Sequence, residues 1–391
     1  MRANLFPGTL SWLEIDLDAL AGNVRTLRSR LAPGARLGAV VKSNAYGHGV
    51  ELVAPAALAA GADTLIVGNL AEGLEVRRLV GPDVPVLVVG HVPRAGFPEA
   101  VRAGLDLTVY DREAGPALAA AAREAGRPAR VHLKVETGTN RQGLRGEQLL
   151  ALARELAALE GVEIAGVGTH FADIEDTTDH SFAREQLARF LRAVARLEEA
   201  GIRPGMRHTA CSAAVLLFPE THLDLVRAGI SVYGFWPSRE TLVSARERGL
   251  AGDELRPVMT WKARIAQVKD VPAGEYVGYG RTYRATRPLR VAVLPVGYYE
   301  GYPRALSGKA HVLVHGRRAP VLGRVCMNMT MVDVTDVPGA ATGDEAVLLG
   351  RAGAEEVRAE DLAAWAGTIH YEIVSRIHPS LPRIPRPAQD R

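Results

Sequence analysis

The stretch GAVVKSNAYGHG (38–49) sets Lys42 directly after the apolar run Ala39, Val40 and Val41, and just before the polar, turn-forming residues Ser43 to Gly47. A lysine at the mouth of a buried strand has two readings. It is ion-paired at the strand end, or it is a desolvated amine whose pKa falls toward neutrality, leaving a nucleophilic free base. An amine of the second kind forms a Schiff base with a carbonyl, and pyridoxal phosphate is the common carbonyl cofactor. Only five lysines occur, at 42, 134, 262, 269 and 309, so lysine chemistry has few candidates. Other polar groups close apolar runs in the same way: Arg141, His170, Ser212, and Arg227 with Gly229. Each alone is equally well a satisfied polar residue of a core.

These residues need a scaffold that brings strand ends together. From 36 to about 235, short β-branched runs (37–41, 64–68, 84–90, 105–110, 131–135, 163–171, 206–211 and 223–230) alternate with Ala/Leu/Arg segments of helical period such as 71–80, 112–124, 146–160 and 182–200. Eight strands, each followed by a helix, predict a TIM (β/α)8 barrel, in which function collects where strands end. Lys42 then ends the first strand, Arg141 follows the fifth, His170 ends the sixth, Ser212 follows the seventh and Arg227 closes the eighth. Beyond about 240 the runs 258–271, 289–299, 310–323 and 329–337 are broken by Gly- and Pro-containing turns. They predict a mainly antiparallel β domain, with one helix around 358–367. The expected division is 1–237 for the barrel and 238–391 for the β domain.

Composition narrows the function. The 391 residues are 47% hydrophobic and 23% charged, with a net charge of +3, ordinary for a globular protein. Well-mixed charges give no reason to invoke nucleic acid. Cys211 and Cys326 lie far apart without CxxC spacing, which suggests neither a disulfide framework nor a zinc site, and no metal site is expected. No apolar stretch of about 18 residues and no leader pattern occur, so a cytoplasmic location without membrane attachment is the default expectation.

The motif VVKSNAYGHG resembles the cofactor-lysine motif of bacterial alanine racemases. Further segments follow in that family's order: WLEIDLDAL (12–20), LKVETGTNRQG (133–143), GVGTHF (166–171), HTACSAA (208–214), VRAGISVYG (226–234), VGYGRTY (277–283), VGYYEGYPR (296–304), GRVCMNMTMVDVT (323–335) and HYEIVSRI (370–377). The resemblance implies pyridoxal phosphate dependence, interconversion of L- and D-alanine for cell-wall peptidoglycan, and a homodimer with shared active sites. An N-terminal strand at about 10–17 is expected to pair with the β domain. A racemase of wider amino-acid scope, serine included, is the alternative.

Residue by residue, the resemblance makes Lys42 the cofactor amine and the base on one face of the substrate. Tyr279 serves the opposite face, supported by His170 and Arg227, which fits two-base proton exchange. Arg227 faces the pyridine nitrogen, a position where an amino-acid decarboxylase of similar architecture places a carboxylate. The phosphate falls to Tyr46, Ser212, Tyr371 and the backbone of Gly229 and Ile230. Arg141 and Met327 take the substrate carboxylate, and Tyr298 lines the entrance. Lys134 matches a lysine that relatives often carry as a carbamate, with Glu136 as the competing counter-charge. The chain departs from the usual family text at Asn140 and Gln142 beside Arg141, at Asn328 after Met327, and at Tyr299 and Glu300 after Tyr298.

Overall fold

The computed structural model describes residues 8–250 and 255–386, which divide into two compact units. One unit is Asp18–Ala45 with Val50–Arg256. Its frame is eight parallel strands: β2 (Arg36–Val40), β3 (Thr64–Val67), β4 (Val86–Val88), β5 (Asp106–Val109), β6 (Ala129–Lys134), β7 (Val162–Gly168), β8 (Met206–His208) and β9 (Leu225–Ala228). They pair in sequence order from β2 to β8, and β9 returns beside β2, with Gly38 opposite both Thr64 and Arg227. Between β8 and β9 the backbone bonds Asp224 N–H to Arg207 O (3.1 Å) and Arg227 N–H to Ala210 O (2.9 Å) draw the ring nearly closed. Each strand overlaps one of the runs read from the sequence, and most are buried on both faces as parallel barrel strands are, β8 being only half-buried at Met206 and Arg207.

The surrounding helices follow from their apolar spacing. Ser181–Glu199 buries Ala183, Gln186, Phe190, Val194 and Leu197, one stripe at three- and four-residue steps. Leu70–Val80 starts where Asn69 Oδ1 accepts the Glu72 N–H at 3.0 Å, an N-cap. The helix Val50–Ala59 is not anticipated by pattern, since VELVAPAALA is almost wholly apolar, contains Pro55 and shows no polar face.

The other unit comprises the described residues up to Leu17, Tyr46–Gly49, and those from Pro257 onward. Strand β1 (Ser11–Ile15) pairs antiparallel with Met259–Arg264, Leu13 opposite Trp261, and parallel with Arg383–Pro385. The rest of this sheet is antiparallel, including the hairpin His311–Val314 with Arg317–Leu322 and the strand Glu345–Ala352, which the sequence reading does not name. Trp12, Trp261 and Tyr302 are fully buried in its core. The helix Ala359–Ala366 ends at Gly367, whose φ of 74° is left-handed. A second short helix, His370–Ser375, follows it. Among the described residues no helix is long and apolar enough to cross a membrane.

Candidate active site

Lys42 stands two residues past β2, where Tyr233 Oη donates to Val40 O at 2.8 Å and fixes the strand end. Instead of an ordinary polar turn, the next four residues, Ser43 to Tyr46, all have φ of 52–54°: one turn of left-handed helix built without glycine. Each such residue costs about 1–2 kcal/mol, so outside contacts must hold the turn. Glu72 does so: its carboxylate accepts Ser43 N–H (2.8 Å) through one oxygen and Gly68 N–H (2.7 Å) through the other. Ala45 N–H reaches back to Val41 O, and Asn44 Oδ1 accepts Val50 N–H at the start of the next helix. Burial lowers the Lys42 pKa from the usual lysine value, the Arg141 cation lowers it further, and Glu72 opposes.

Lys134, Arg141 and Arg227 belong to the same cationic cluster. Lys134 is driven down to about 7 by burial first, then by Arg227 and Arg141, with Glu136 opposing. Glu136 does not pair with it. Its carboxylate turns back on its own loop, taking the Gly138 N–H and Arg145. Burial and then Arg227, Lys134, Arg141 and Lys42 hold His170 well below the ordinary histidine range, so it is neutral. Thus groups from β2, β6, β7 and β9 converge electrostatically at the strand ends.

Arg227 is held from beneath by a buried chain of hydrogen bonds. Its Nη1 lies 2.6 Å from His208 Nδ1, His208 Nε2 lies 2.9 Å from His132 Nδ1, and His132 Nε2 lies 3.3 Å from Asp106 Oδ2. A guanidinium only donates, so His208 Nδ1 must accept. His208 then donates from Nε2 to His132, and His132 donates to Asp106. One donor fixes two tautomers and orients the whole chain. Burial alone raises the Asp106 carboxyl, but the His132 bond and the Arg130 charge outweigh it and hold Asp106 below the ordinary range. The second Arg227 nitrogen donates to Thr169 O (2.7 Å) and Thr209 O (3.1 Å), with His170 Nδ1 at 3.4 Å. Burial brings its pKa down to about 10, which still leaves it cationic. Gly166 and Gly168 make room for this chain, since a Cβ there sits 2.4 Å from His132 and 2.1 Å from His208.

Ser212 is buried, and its Oγ accepts Gly229 N–H at 2.9 Å. The Ser212 hydroxyl proton, rather than the Gly229 amide, is therefore what this pair offers an anion. Ile230 starts the short 3-10 turn Ile230–Tyr233 beside it. In the other unit the Tyr46 and Tyr371 rings lie 6.2 Å apart. Gly47 seats them: at φ +82°, a Cβ there comes 2.0 Å from Val374 O on the Tyr371 helix, and Arg383 Nε donates to Gly47 O at 3.1 Å.

Tyr279 opens a 3-10 turn between Gly278 and Gly280, both at positive φ, and is 72% exposed. Tyr298 and Met327 are neighbours on facing loops, exposed at 43% and 56%; Tyr298 N–H bonds Cys326 O and Tyr299 N–H bonds Met327 O. Glu300 clamps the two loops, accepting Gly297 N–H (2.8 Å) and Asn328 Nδ2 (2.7 Å). Two of the departures from the family text are thus bonded to each other. A third, Asn140, has φ of 52°, a conformation glycine takes freely and asparagine better than most others. Sequence reasoning missed Glu72 and Asp106, and it gave His132 and His208 no role; of these only His208, in HTACSAA, lies within a quoted motif.

A (β/α)8 barrel with a desolvated lysine just past its first strand, in a chain that also holds an antiparallel β unit, defines a class of two-domain barrel enzymes. The chain belongs to the alanine racemase family. The family's "Alanine racemase, N-terminal domain" matches residues 15–237 and its "Alanine racemase, C-terminal domain" matches 258–385. The alanine racemase of Symbiobacterium thermophilum is 46% identical over 95% of this chain and 96% of that protein, and that of Desulfovibrio desulfuricans 43% over 95% and 97%. The crystal structure of alanine racemase from D-cycloserine-producing Streptomyces lavendulae is similar with a TM-score of 0.90, at 41% identity, covering 98% of this chain and 99% of that one. The Bacillus anthracis enzyme with bound L-Ala-P gives 0.89 at 34% identity, covering 99% and 97%.

Proposed function

We propose that this chain interconverts L- and D-alanine using pyridoxal phosphate held on Lys42. The observation that carries the reading is the Lys42 amine, lowered in pKa by burial and set on a turn pinned by Glu72, beside a cluster of cations. Such a cluster suits a phosphate-bearing cofactor and a carboxylate substrate. The residues fit the cofactor: an amine for its carbonyl, the Ser212 hydroxyl and the Tyr46–Tyr371 pair for its phosphate, and Arg227 for its ring nitrogen. The bound cofactor supplies the carbonyl that takes up the substrate amine and the electron sink that acidifies the α C–H.

Lys42 moves the α-proton on one face and Tyr279 on the other. Arg227 donates toward the ring nitrogen without giving up its proton, because a guanidinium only donates and, with a pKa of about 10, stays charged at neutral pH. Arg141 binds the substrate carboxylate, a task that the resemblance has it share with Met327. Lys134, with a pKa of about 7, is in good part a free amine at neutral pH, the form that adds carbon dioxide. The carbamate nitrogen loses one proton in that addition, and the resulting anion orients Arg141 better than an ammonium does. Exposure of Tyr279, Tyr298 and Met327, with Met329 and Ile369, supports a second copy covering them in a homodimer with shared sites.

Incubating the chain with pyridoxal phosphate in deuterium oxide and a panel of L- and D-amino acids tests this. Exchange with inversion confined to alanine is expected. Inversion spread equally over serine indicates the wider racemase, and no exchange rejects the reading.

A further inference from the structure

A cavity of about 490 Å³ lies on the outside of the barrel, between the helices Gly146–Ala157 and Ser181–Glu199, and behind the loop that follows β6. Its volume is that of a small-molecule site. Four arginines line it: Arg145, Arg189, Arg192 and Arg196. Glu136 is the one carboxylate in the lining, and Leu149, Leu150 and Leu197 give it an apolar floor. Arg189, Arg192 and Arg196 share one helix face, at three- and four-residue steps, where like charges repel. Glu185 pairs with Arg189 and Glu147 with Arg196, both on largely exposed side chains. Arg192, between two cations, makes no ion pair among the described residues. Arg145 stands at the amino end of Gly146–Ala157 without a side-chain capping bond, and the free N–H groups of that end add positive potential.

We propose that this cavity binds a small phosphorylated organic anion, its phosphate gripped by Arg192 with Arg189, Arg196 and Arg145, and its organic body on the leucine floor. Guanidinium groups match phosphate oxygens in paired hydrogen bonds, and several around one anion relieve the repulsion along the helix. The site also reaches the loop that ends in Arg141. Arg145 donates to Glu136 and to Asn140 Oδ1 (2.6 Å), and Arg189 donates to Thr137 O at 2.8 Å. Glu136 in turn binds the backbone N–H groups of Gly138, Asn140 and Arg141. A ligand that draws Arg145 and Arg189 inward loosens the holds on that loop and shifts the KM for alanine while kcat stays. This coupling rests on the proposed role of Arg141; the binding itself does not.

Calorimetry on the full chain carrying pyridoxal phosphate, with unbound cofactor removed, tests the site directly, using adenosine 5′-monophosphate, adenosine and inorganic phosphate as probes, with cofactor absorbance confirming that Lys42 is undisturbed. The monophosphate is expected to bind at least about tenfold more tightly than either part alone. Arg192→Glu should weaken it by about tenfold or more and Arg192→Lys by less, with ligand-free kcat unchanged in both. Absence of binding up to about 10 mM, or equal binding by Arg192→Glu, overturns the site. Inorganic phosphate binding as tightly as the monophosphate overturns the organic class. Binding without any change in KM overturns only the coupling to Arg141, and failure of racemisation with binding intact bears on the proposed reaction alone.

Discussion

In the barrel, Arg227 is 7% exposed and meets acceptors through both terminal guanidinium nitrogens, whereas in the β unit Tyr279 is 72% exposed on a turn between two glycines. Both are assigned to the same chemistry, yet one is over-determined by its surroundings and the other is merely presented. Barrel residues are tuned inside the chain, through desolvation, the cationic cluster and the Asp106–His132–His208 relay. Those of the β unit are aimed by backbone, through Gly278, Gly280 and the Glu300–Asn328 clamp, and in the proposed homodimer a second copy covers them. Loss of a barrel residue should therefore cost stability as well as activity, and loss of a β-unit residue activity alone.

The strongest contrast is between Arg227→Ala and Tyr279→Phe. Arg227→Ala leaves His208 and two carbonyls without a donor, and chemical denaturation should show a loss above about 3 kcal/mol. Tyr279→Phe should cut racemisation by roughly a hundred- to ten-thousand-fold while leaving stability within about 0.5 kcal/mol. Equal stability losses in the two variants would erase the distinction.

The buried histidines His170 and His208 give a pH signature of intermediate size. His170 and His208 have folded pKa values well below the ordinary 6.5, so the unfolded chain takes up protons first on acidification. Their stabilisation is complete above about pH 6.5 and is lost as pH falls below it, by up to about 1.4 kcal/mol per pH unit for each histidine. Urea titrations from pH 7.5 to 5.5 should show this slope, and His208→Gln should reduce it by up to about one proton. An unchanged slope would remove His208 from the account.

The smallest effect belongs to the clamp. Asn328→Asp sets a second carboxylate against Glu300, releasing the loops that carry Tyr298 and Met327. Steady-state kinetics should show the KM for alanine rising by up to about fivefold, since an exposed pair is worth about 1 kcal/mol. No rise would mean that the loops are held by backbone bonds alone.

Much of this was legible in the sequence. Each of the eight barrel strands coincides with an apolar run, and Lys42, Arg141, His170, Ser212 and Arg227 were placed at strand ends from spacing. The left-handed turn Ser43–Tyr46 was not legible, because no glycine marks it and its stability comes from Glu72, 29 positions from Ser43. Nor was the relay: Asp106, His132 and His208 meet only once β5, β6 and β8 are in register. Glu136 competes as counter-charge to Lys134 in the sequence reading, but its carboxylate is taken up by its own loop. Asn140 looked like a departure and proved to be a second solution to a positive φ.

Borohydride reduction of the chain loaded with pyridoxal phosphate, followed by peptide mass mapping, tests the central claim most directly. A single reduced pyridoxyl adduct on Lys42, with Lys134, Lys262, Lys269 and Lys309 unlabelled, is the expected result. Label on Lys134 or on any other lysine, with Lys42 unmodified, would contradict it.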